Sequence, residues 1–521
     1  MEALQHSVNS GGVADAVLVI PPPSPSDTNP PLGPAIIARA AHRAGFSIRV
    51  IDLNALHISR FREKLPHRST AVLGDQGKDR LLVAHAARSV YATTGLYGCT
   101  PKYLPDGADP VAGMHYSLES ITTAVLAQSA DGTWWDEWLT ADLFDRIDSP
   151  PPVFGVSIMG ASQVFPALVI FALAKRRWPS SVTVAGGSHI TLMADFIRRD
   201  HRYRKDIDVI MPGHSEDAFV RLLRRVNPTA ATTAAELSII SDEFEYVPLF
   251  SKEQLSLYRV DTVAMPLQFT RGCAYGRCTF CTYPAVEPIL TRFDPGRAQA
   301  AVSTLVEHHG IRTFSVKDSL FTVPMMEAFA RALDASGSGP IKWSATTKVN
   351  RRLAALAPLL AESGLATVEL GIESINPAAQ KLFDKQANLA MIEDVVLALT
   401  GQGILVVINL IFGAPGETVD DAERQLRWYT RMREMAAGHI DGSLNLLEIV
   451  RGSPMEIMPP VGVTLNGVAP WAYCYQWNAP RWRPTFAERL QDVELAALHT
   501  SATASPVPSE DPVSGDQRRI S

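Results

Sequence analysis

The sequence predicts an α/β protein with an N-terminal doubly wound, Rossmann-like domain, a partial (βα)6 barrel and a small C-terminal extension. Three observations favour this fold class. Short apolar runs alternate with helical segments, which is typical of parallel sheets. The loops after the N-terminal strands are rich in Gly, Pro and Ser, as at the ligand-binding edge of an open sheet. Between residues 263 and 455, six strand–helix pairs occur, too few for a closed eight-stranded barrel.

The composition is that of a globular protein of two or three domains. Of the 521 residues, 46% are hydrophobic and 20% are charged, which excludes a wholly disordered, collagen-like or coiled-coil chain. The formal net charge of -6 makes nucleic acid an unlikely partner. The sequence shows neither a signal-peptide pattern nor an apolar run long enough to span a membrane. We therefore expect a cytoplasmic protein with no membrane partner.

The first domain is predicted over residues 13–226. An apolar strand at 16–20 ends at three prolines, a helix over 35–44 closes at Gly45, and 47–53 forms the next strand. A mostly helical insertion is predicted at about 60–150. The strand–helix alternation then resumes at strand 153–158, helix 163–177, strand 182–185, strand 209–211 and helix 215–226.

The barrel is predicted over residues 263–455, after a linker at 227–262 that is rich in Thr, Ala, Ser and Pro. Its strands are predicted at Met265–Phe269, Thr313–Lys317, Ile341–Ala345, Thr367–Gly371, Leu405–Phe412 and Ser443–Ile449. Its helices are predicted at 296–309, 325–336, 350–363, 389–402 and 417–437. Residues 456–500, rich in Pro and Trp, form the predicted extension, and 501–521 a disordered tail.

The cysteines point to a metal or redox site in a reducing compartment. Three of the five, Cys273, Cys278 and Cys281, have the spacing C-x4-C-x2-C in the loop after the first barrel strand. Such an odd, clustered set is not a disulfide framework. Three thiolates on one short loop suit an iron–sulfur cluster and leave one iron of a cubane open to a ligand. A structural zinc site is the alternative, but no second Cys or His pair completes four ligands.

On these residues the chain resembles radical S-adenosylmethionine (SAM) enzymes that carry an N-terminal cobalamin-binding domain. The family's usual loop is C-x3-C-x2-C with an aromatic residue before the last cysteine. Phe280 matches that aromatic residue, whereas the first gap is one residue longer here. The resemblance implies a [4Fe-4S] cluster and SAM contacts at successive strand ends, and the predicted contact residues are Phe280, Asp318, Ser344, Gly371, Glu373, Asn409 and Gly413.

The resemblance also implies that the first domain binds cobalamin. Glycines at its strand ends would let the backbone approach a flat corrin closely. The predicted contacts are Ser157, Gln163, Gly186, Gly187, His189, Gly213 and Glu216. A D-x-H-x-x-G segment is missing from the sequence, so we expect no histidine as lower ligand. Two alternatives stay open: His189 is a buried structural residue, or the domain has kept its fold and lost cobalamin.

The function that the resemblance implies is methyl transfer to an unactivated carbon of a natural product or peptide. SAM cleavage would give a 5′-deoxyadenosyl radical, methylcobalamin would supply the methyl group, and no side-chain acid or base is nominated as catalytic. The expected partners are a small-molecule or peptide substrate and an electron donor of the flavodoxin or ferredoxin type. A non-methylating radical rearrangement or cyclisation remains an alternative, as does a non-catalytic cobalamin- or metal-binding sensor.

Overall fold

A computed structural model describes most of the chain, and the statements below concern those residues alone: 14–23, 29–64, 118–228, 246–258, 263–335, 339–468, 474–490 and 493. Four predictions lie wholly or partly outside them, and one of the four is the C-terminal extension, of which 469–473, 491–492 and 494–500 are not described. The other three are much of the helical insertion, parts of the linker and the disordered tail. None of the described helices has both the length and the apolar character needed to cross a membrane.

The N-terminal domain is a five-stranded parallel sheet with the order β2-β1-β3-β4-β5. Its strands are β1 (Ala16–Ile20), β2 (Ile48–Asp52), β3 (Val153–Ser157), β4 (Val182–Gly186) and β5 (Val209–Ile210). All five residues of β1 are buried, because this central strand is covered on both faces. The order reverses beside β1, so this is the doubly wound sheet that the sequence predicts.

Helices cover both faces of this sheet. They are α1 (Leu32–Arg43), α2 (Leu53–Lys64), α3 (Leu118–Gln128), α4 (Trp134–Asp142), α5 (Val164–Arg177), α6 (Ser188–Arg199), α7 (His201–Arg204) and α8 (Glu216–Val226), with 3-10 turns at Phe144–Arg146 and Ala161–Gln163. α5 is apolar nearly all round because it is packed under α3 and α4. α8 is amphipathic and buries Phe219, Val220 and Leu223 against the sheet.

The second domain is an open parallel sheet of six strands in the order β11-β10-β9-β8-β7-β6. Its strands are β6 (Met265–Leu267), β7 (Thr313–Val316), β8 (Lys342–Lys348), β9 (Leu365–Glu373), β10 (Leu405–Phe412) and β11 (Ile440–Leu446). Along β8 and β9 every second residue is buried against the helices, and the residues between them face the barrel interior. The predicted partial (βα)6 barrel is confirmed.

The barrel helices follow the strands in regular alternation. They are α10 (Tyr283–Val286), α11 (Pro295–His309), α12 (Val323–Ala335), α13 (Arg352–Glu362), α14 (Pro377–Leu382), α15 (Leu389–Thr400) and α16 (Val419–Met435). Local sequence sets their ends. The carboxylate of Asp294 caps α11, which ends at Gly310 in the left-handed region (φ 69°). Thr418 and Asp421 form a capping box at the start of α16.

Part of the predicted linker is packed rather than loose. Residues 246–258, which include α9 (Lys252–Ser256), run along both domains. Phe250 joins the apolar core of the barrel, and the Leu249 N–H donates to the carbonyl of Ala35 in α1 at 3.1 Å. At the other end, the Tyr258 hydroxyl donates to the buried carboxylate of Asp52. The segment therefore holds the two sheets in a fixed relation.

The C-terminal extension adds a small antiparallel sheet that the sequence did not predict. Its order is β12-β14-β13, with β12 (Ile449–Val450), β13 (Leu465–Val468) and β14 (Cys474–Trp477), and α17 (Pro454–Ile457) follows β12. Beyond it, the rings of Trp482 and Phe486 pack edge to face at 5.3 Å, and Phe486 contacts Phe412 at the end of β10. The extension therefore packs on the edge of the barrel where its strands end.

Candidate active site

A large cleft separates the two domains at the carboxyl ends of their strands. It contains about 1390 Å³ of empty space, with Gly33, Ser157 and Gly213 on the N-terminal side and Arg271 on the barrel side. A second cavity of about 790 Å³ occupies the barrel interior. Tyr283 and Lys317 line both spaces, so the cleft and the barrel cavity adjoin each other.

The cysteine loop lies next to this junction, between β6 and α10. The thiols of Cys273, Cys278 and Cys281 are half-buried and unbridged. Backbone N–H groups point at two of them, since Gly276 donates to Cys273 Sγ and Tyr283 to Cys281 Sγ, both at 3.4 Å. The pKa of Cys278 is raised to about 11, mainly by burial; a nearby lysine opposes this shift and the neighbouring thiols add to it. The three sulfurs therefore act on one another electrostatically.

Two carboxylates hold the base of the cysteine loop. Asp318 is buried, and its oxygens accept hydrogen bonds from the Phe269 N–H at 2.7 Å and the Thr270 hydroxyl at 2.6 Å. Burial raises the pKa of Asp318 to about 7. Glu287 accepts a bond from the N–H of Gly272, the residue before the first cysteine, at 3.0 Å. Asp318 thus contacts the loop as well as the barrel cavity, which it lines.

Glycine is required at Gly272 itself. Its φ is +78°, and a Cβ there would lie 2.7 Å from the carbonyl oxygen of Ile289. The hydroxyl of Ser319 donates to the Gly272 carbonyl at 2.7 Å and fixes the turn from the other side. Gly272 therefore precedes the first cysteine at a backbone position where any side chain would displace neighbouring atoms.

An ion pair lies beside the thiols. The Lys385 ammonium is 3.1 Å from Glu373, and both side chains are buried. The charge of Lys385 lowers the pKa values of Cys278 and Cys281, against the larger effect of burial. A Cβ at Gly371 would lie 2.9 Å from both charged groups, so glycine at that position makes room for the pair. Two of the predicted SAM contacts, Gly371 and Glu373, are thus brought together next to the cysteines.

Two further predicted contacts lie deeper in the barrel. Asn409 donates through Nδ2 to Glu369 at 2.6 Å, while its buried Oδ1 has no partner among the described residues. Ser344 lines the barrel cavity, and its hydroxyl bonds to Ser315 at 3.2 Å. Both residues therefore belong to the polar interior of the barrel.

The remaining two predicted SAM contacts have packing roles. Gly413, with φ +78°, follows β10, and a Cβ there would lie 2.7 Å from the Arg483 side chain. The ring of Phe280 packs edge-on against Phe383 at 5.3 Å. The aromatic residue before the last cysteine thus anchors the loop on the barrel, and the glycine lets the C-terminal extension approach β10.

In the N-terminal domain, five of the seven predicted cobalamin contacts line the cleft: Ser157, Gly186, Gly187, Gly213 and Glu216. The side chain of Glu216 forms an ion pair with Arg271, which precedes the cysteine loop. This pair therefore links the first turn of α8 in one domain to the cysteine loop in the other.

The other two predicted contacts, Gln163 and His189, do not line the cleft. Gln163 is buried and bridges two loops, donating to the Pro21 carbonyl and accepting from the Met159 N–H, both at 2.7 Å. His189 is fully buried, with Nε2 at 3.4 Å from the Tyr203 hydroxyl. Burial lowers the pKa of His189 to about 3. This placement agrees with the alternative in which His189 is a buried structural residue.

The sequence reasoning missed Lys317, Glu369, Lys385 and Arg271 as site residues. The signal for the first two was available, because residues two apart on a barrel strand share a face. Lys317 lies two residues after Ser315, just beyond the end of β7, and Glu369 lies two residues after Thr367 on β9. All four residues line the barrel cavity. Lys385 and Arg271 lie in irregular segments, where no periodicity indicates which way a side chain points.

Comparison with known proteins agrees with this architecture. Residues 267–429 match the sequence profile of the radical SAM superfamily. An uncharacterised methyltransferase of Pyrococcus horikoshii is 24% identical over an alignment of 301 residues, which covers 54% of this chain and 64% of that protein. The aligned region thus spans less than two thirds of the relative's length.

Two solved structures share the fold across both domains. TsrM from Kitasatospora setae, a radical SAM methyltransferase with cobalamin and a [4Fe-4S] cluster bound, aligns with a TM-score of 0.57 at 14% identity, covering 98% of this chain and 94% of its own. OxsB, a cobalamin-dependent SAM radical enzyme, aligns with a TM-score of 0.55 at 11% identity, covering 92% and 66%. The chain therefore contains a radical SAM domain, at residues 267–429, within a two-domain fold that it shares with TsrM and OxsB.

Proposed function

We propose that the protein is a cobalamin-dependent radical SAM methyltransferase. In this proposal Cys273, Cys278 and Cys281 hold a [4Fe-4S] cluster, SAM binds beside it in the barrel, and cobalamin binds in the cleft between the domains. One observation carries the proposal. The cysteine loop ends at Tyr283, and that residue lines both the cleft and the barrel cavity. A cluster on this loop would therefore stand between the two cofactor sites.

The thiol donors fit an iron–sulfur cluster. Thiolate sulfur is the ligand that such clusters prefer, and each of two thiols already accepts a backbone N–H bond that would stabilise a cluster-bound sulfur. Among the described residues, no three Cys, His, Asp or Glu side chains lie close enough to share a single metal ion. The alternative of a structural zinc site has no support in this donor set.

The cleft fits a large, flat cofactor. Gly33 and Gly213 line it, and a Cβ at either position would meet no atom within 4 Å, so the backbone there borders open space. The neighbouring wall is apolar, with Leu32, Ile36 and Val156. TsrM and OxsB, which share the fold, were solved with cobalamin bound. A planar macrocycle with amide side chains is the ligand that such a surface suits.

The barrel end fits SAM. Glu373 and Lys385 present opposite charges next to the cysteines, and the carbonyl oxygen of Asn409 lacks a partner among the described residues. An amino-acid moiety and an adenosine offer groups that complement these atoms. OxsB was solved with SAM bound.

When bound, these groups would supply reductive SAM cleavage at the cluster and a transferable methyl group in the cleft. The chain's own residues supply positioning. Asp318 and Glu287 fix the base of the cysteine loop, Lys385 sets the charge beside it, and the Arg271–Glu216 pair keeps the loop aligned with the cleft. The barrel encloses the reacting groups and limits access of water. A flavodoxin- or ferredoxin-type protein is the expected electron donor.

The products of SAM turnover test the proposal. Reconstituted protein with cobalamin, a reductant and substrate candidates should form both S-adenosylhomocysteine and 5′-deoxyadenosine, and a substrate heavier by one CH2. Formation of 5′-deoxyadenosine alone would instead favour a non-methylating rearrangement or cyclisation. Failure to cleave or demethylate SAM by a protein that holds both cofactors would contradict the proposal and favour a sensor.

The substrate is proposed to be a small natural-product precursor or a peptide. Support for the smaller class comes from TsrM, which was solved with tryptophan bound together with a SAM analogue. The space in the barrel cavity that a water-sized sphere can reach is about 360 Å³, which is of the size that holds a small molecule.

A further inference from the structure

The barrel cavity is lined by one lysine, two carboxylates and several hydroxyl groups. The hydroxyls belong to Ser315, Ser344, Thr346 and Thr367, and the lysine is Lys317. Of the two carboxylates, Asp318 is buried and bonded to the Phe269 N–H and the Thr270 hydroxyl, whereas Glu369 comes from a different strand. A cavity of this kind does not favour an apolar ligand, because its hydroxyls and charges need polar partners once water is displaced.

The ammonium of Lys317 lies where the cavity joins the cleft. The side chain has exposed surface, and the residue lines both the cleft and the barrel cavity. Loss of bulk water lowers the pKa of Lys317, and the charge of Glu369 opposes that effect. Within the described part of the chain, no carboxylate lies within the 4.0 Å reach of an ion pair with this ammonium.

The carboxylate of Glu369 is held in place by two neighbouring strands. Thr346 on β8 donates to Oε2 at 3.1 Å, and Asn409 on β10 donates to Oε1 at 2.6 Å. Each oxygen keeps one acceptor direction unused by these bonds. The carboxylate is therefore fixed, and it faces the cavity across a gap from Lys317.

A separated cation and anion in one polar cavity match a ligand that carries both charges. We propose that this site binds the substrate as a zwitterion, an α-amino acid or a close derivative. Its carboxylate lies at Lys317 and its ammonium at Glu369, which leaves its side chain directed towards the cleft. The inference rests on the proposed function and narrows its substrate class.

SAM also carries a carboxylate and an ammonium, so it is the other source of the same chemistry. The structure favours a separate substrate at Lys317. Lys385, which is paired with Glu373, acts on both the Cys278 and the Cys281 thiols. Lys385 therefore occupies the position next to the cysteines, and Lys317 serves a ligand farther into the junction of the two cavities.

The test is isothermal titration calorimetry under anaerobic conditions on the full chain with cluster and cobalamin loaded. The probes are the twenty standard L-amino acids, one at a time, and SAM. We expect at least one amino acid to bind, and its Kd to rise at least tenfold in K317M and in E369Q, a change of about 1.4 kcal/mol. K317R should retain part of the affinity. The matched control is K342M, a lysine exposed at the start of β8.

A second probe shows which charge of the ligand binds Lys317 and which binds Glu369. This probe is the amine that corresponds to the best-binding amino acid without its carboxylate. It should bind wild type and K317M equally well, and lose affinity in E369Q. SAM should bind K317M as tightly as wild type, which also shows that the variant is folded.

Three results would overturn the zwitterion site. The first is that no amino acid binds to protein with full iron, sulfide and cobalamin content, which leaves the proposed function standing. The second is that K317M weakens SAM binding instead, which assigns Lys317 to the SAM carboxylate. The third is protein that takes up neither cluster nor cobalamin, which overturns the proposed function and this site together.

Discussion

Replacing Gly187 with alanine should destabilise the N-terminal domain strongly. Gly187 lies between β4 and α6 with φ +104°, a conformation that is nearly restricted to glycine. A Cβ there would lie 2.3 Å from the carbonyl oxygen of Ile158 and 2.8 Å from its carbon. These are backbone atoms, so they cannot move aside by changing rotamer. Backbone strain of about 1–3 kcal/mol and overpacking of about 1–3 kcal/mol together indicate a loss of about 2–6 kcal/mol.

Gly213→Ala is the matched control for this substitution. Gly213 also lines the cleft and has φ +68°, but a Cβ there meets no atom within 4 Å. Gly213→Ala should lower the unfolding free energy by only about 1 kcal/mol, because alanine is strained in the left-handed conformation. Urea unfolding followed by circular dichroism measures both, as the midpoint of the transition assigned to the N-terminal domain. If Gly187→Ala lowers that midpoint no more than Gly213→Ala does, the packing at Ile158 is described wrongly.

Three further predictions follow from named contacts. Gly33→Leu should leave the apoprotein folded and abolish cobalamin uptake, because the added side chain enters the cleft. Uptake is measured by the visible spectrum, and full uptake by the variant would place the cofactor elsewhere. Arg271→Met and Glu216→Gln should show a coupling of about 1–3 kcal/mol in a double-mutant cycle of unfolding free energies, and additive losses would mean that the pair does not join the domains. Burial raises the pKa of Asp52 from 3.8 to about 6, so the stability that protonated Asp52 contributes is complete below pH 3.8 and is lost as the pH rises through 6. The difference in unfolding free energy between wild type and Asp52→Asn should therefore fall over this pH range. A constant difference would contradict the raised pKa.

The fold could be predicted from the sequence because its signals are local. Apolar runs bounded by Gly and Pro mark the strands of both parallel sheets, and the helices between them carry their own caps. The small C-terminal sheet could not be predicted in this way. Ile449 pairs with Tyr475, and Leu465 with Trp477, so the partners of these short strands are set by tertiary packing.

The same distinction applies to the site. The cysteine loop could be predicted because three ligands fall within one short segment. Whether Lys317 and Glu369 line the same cavity depends on the order of the strands and on their register. In that register Glu369 lies beside Thr346 and Val407. Strand-end reasoning also placed His189 at the cleft. The first turn of α6 instead directs that side chain into the core, towards Tyr203.

Iron and sulfide analysis of anaerobically prepared protein shows whether Cys273, Cys278 and Cys281 hold a cluster with one open iron. The wild type should contain about four irons and as many sulfides per chain. Cys273→Ala, Cys278→Ala and Cys281→Ala should each lose most of both, with the electron paramagnetic resonance signal of the reduced cluster. Cys474→Ser, a buried thiol bonded to Glu448, is the control and should keep full content. One zinc without sulfide in the wild type, or full iron in any of the three alanine variants, would contradict the account.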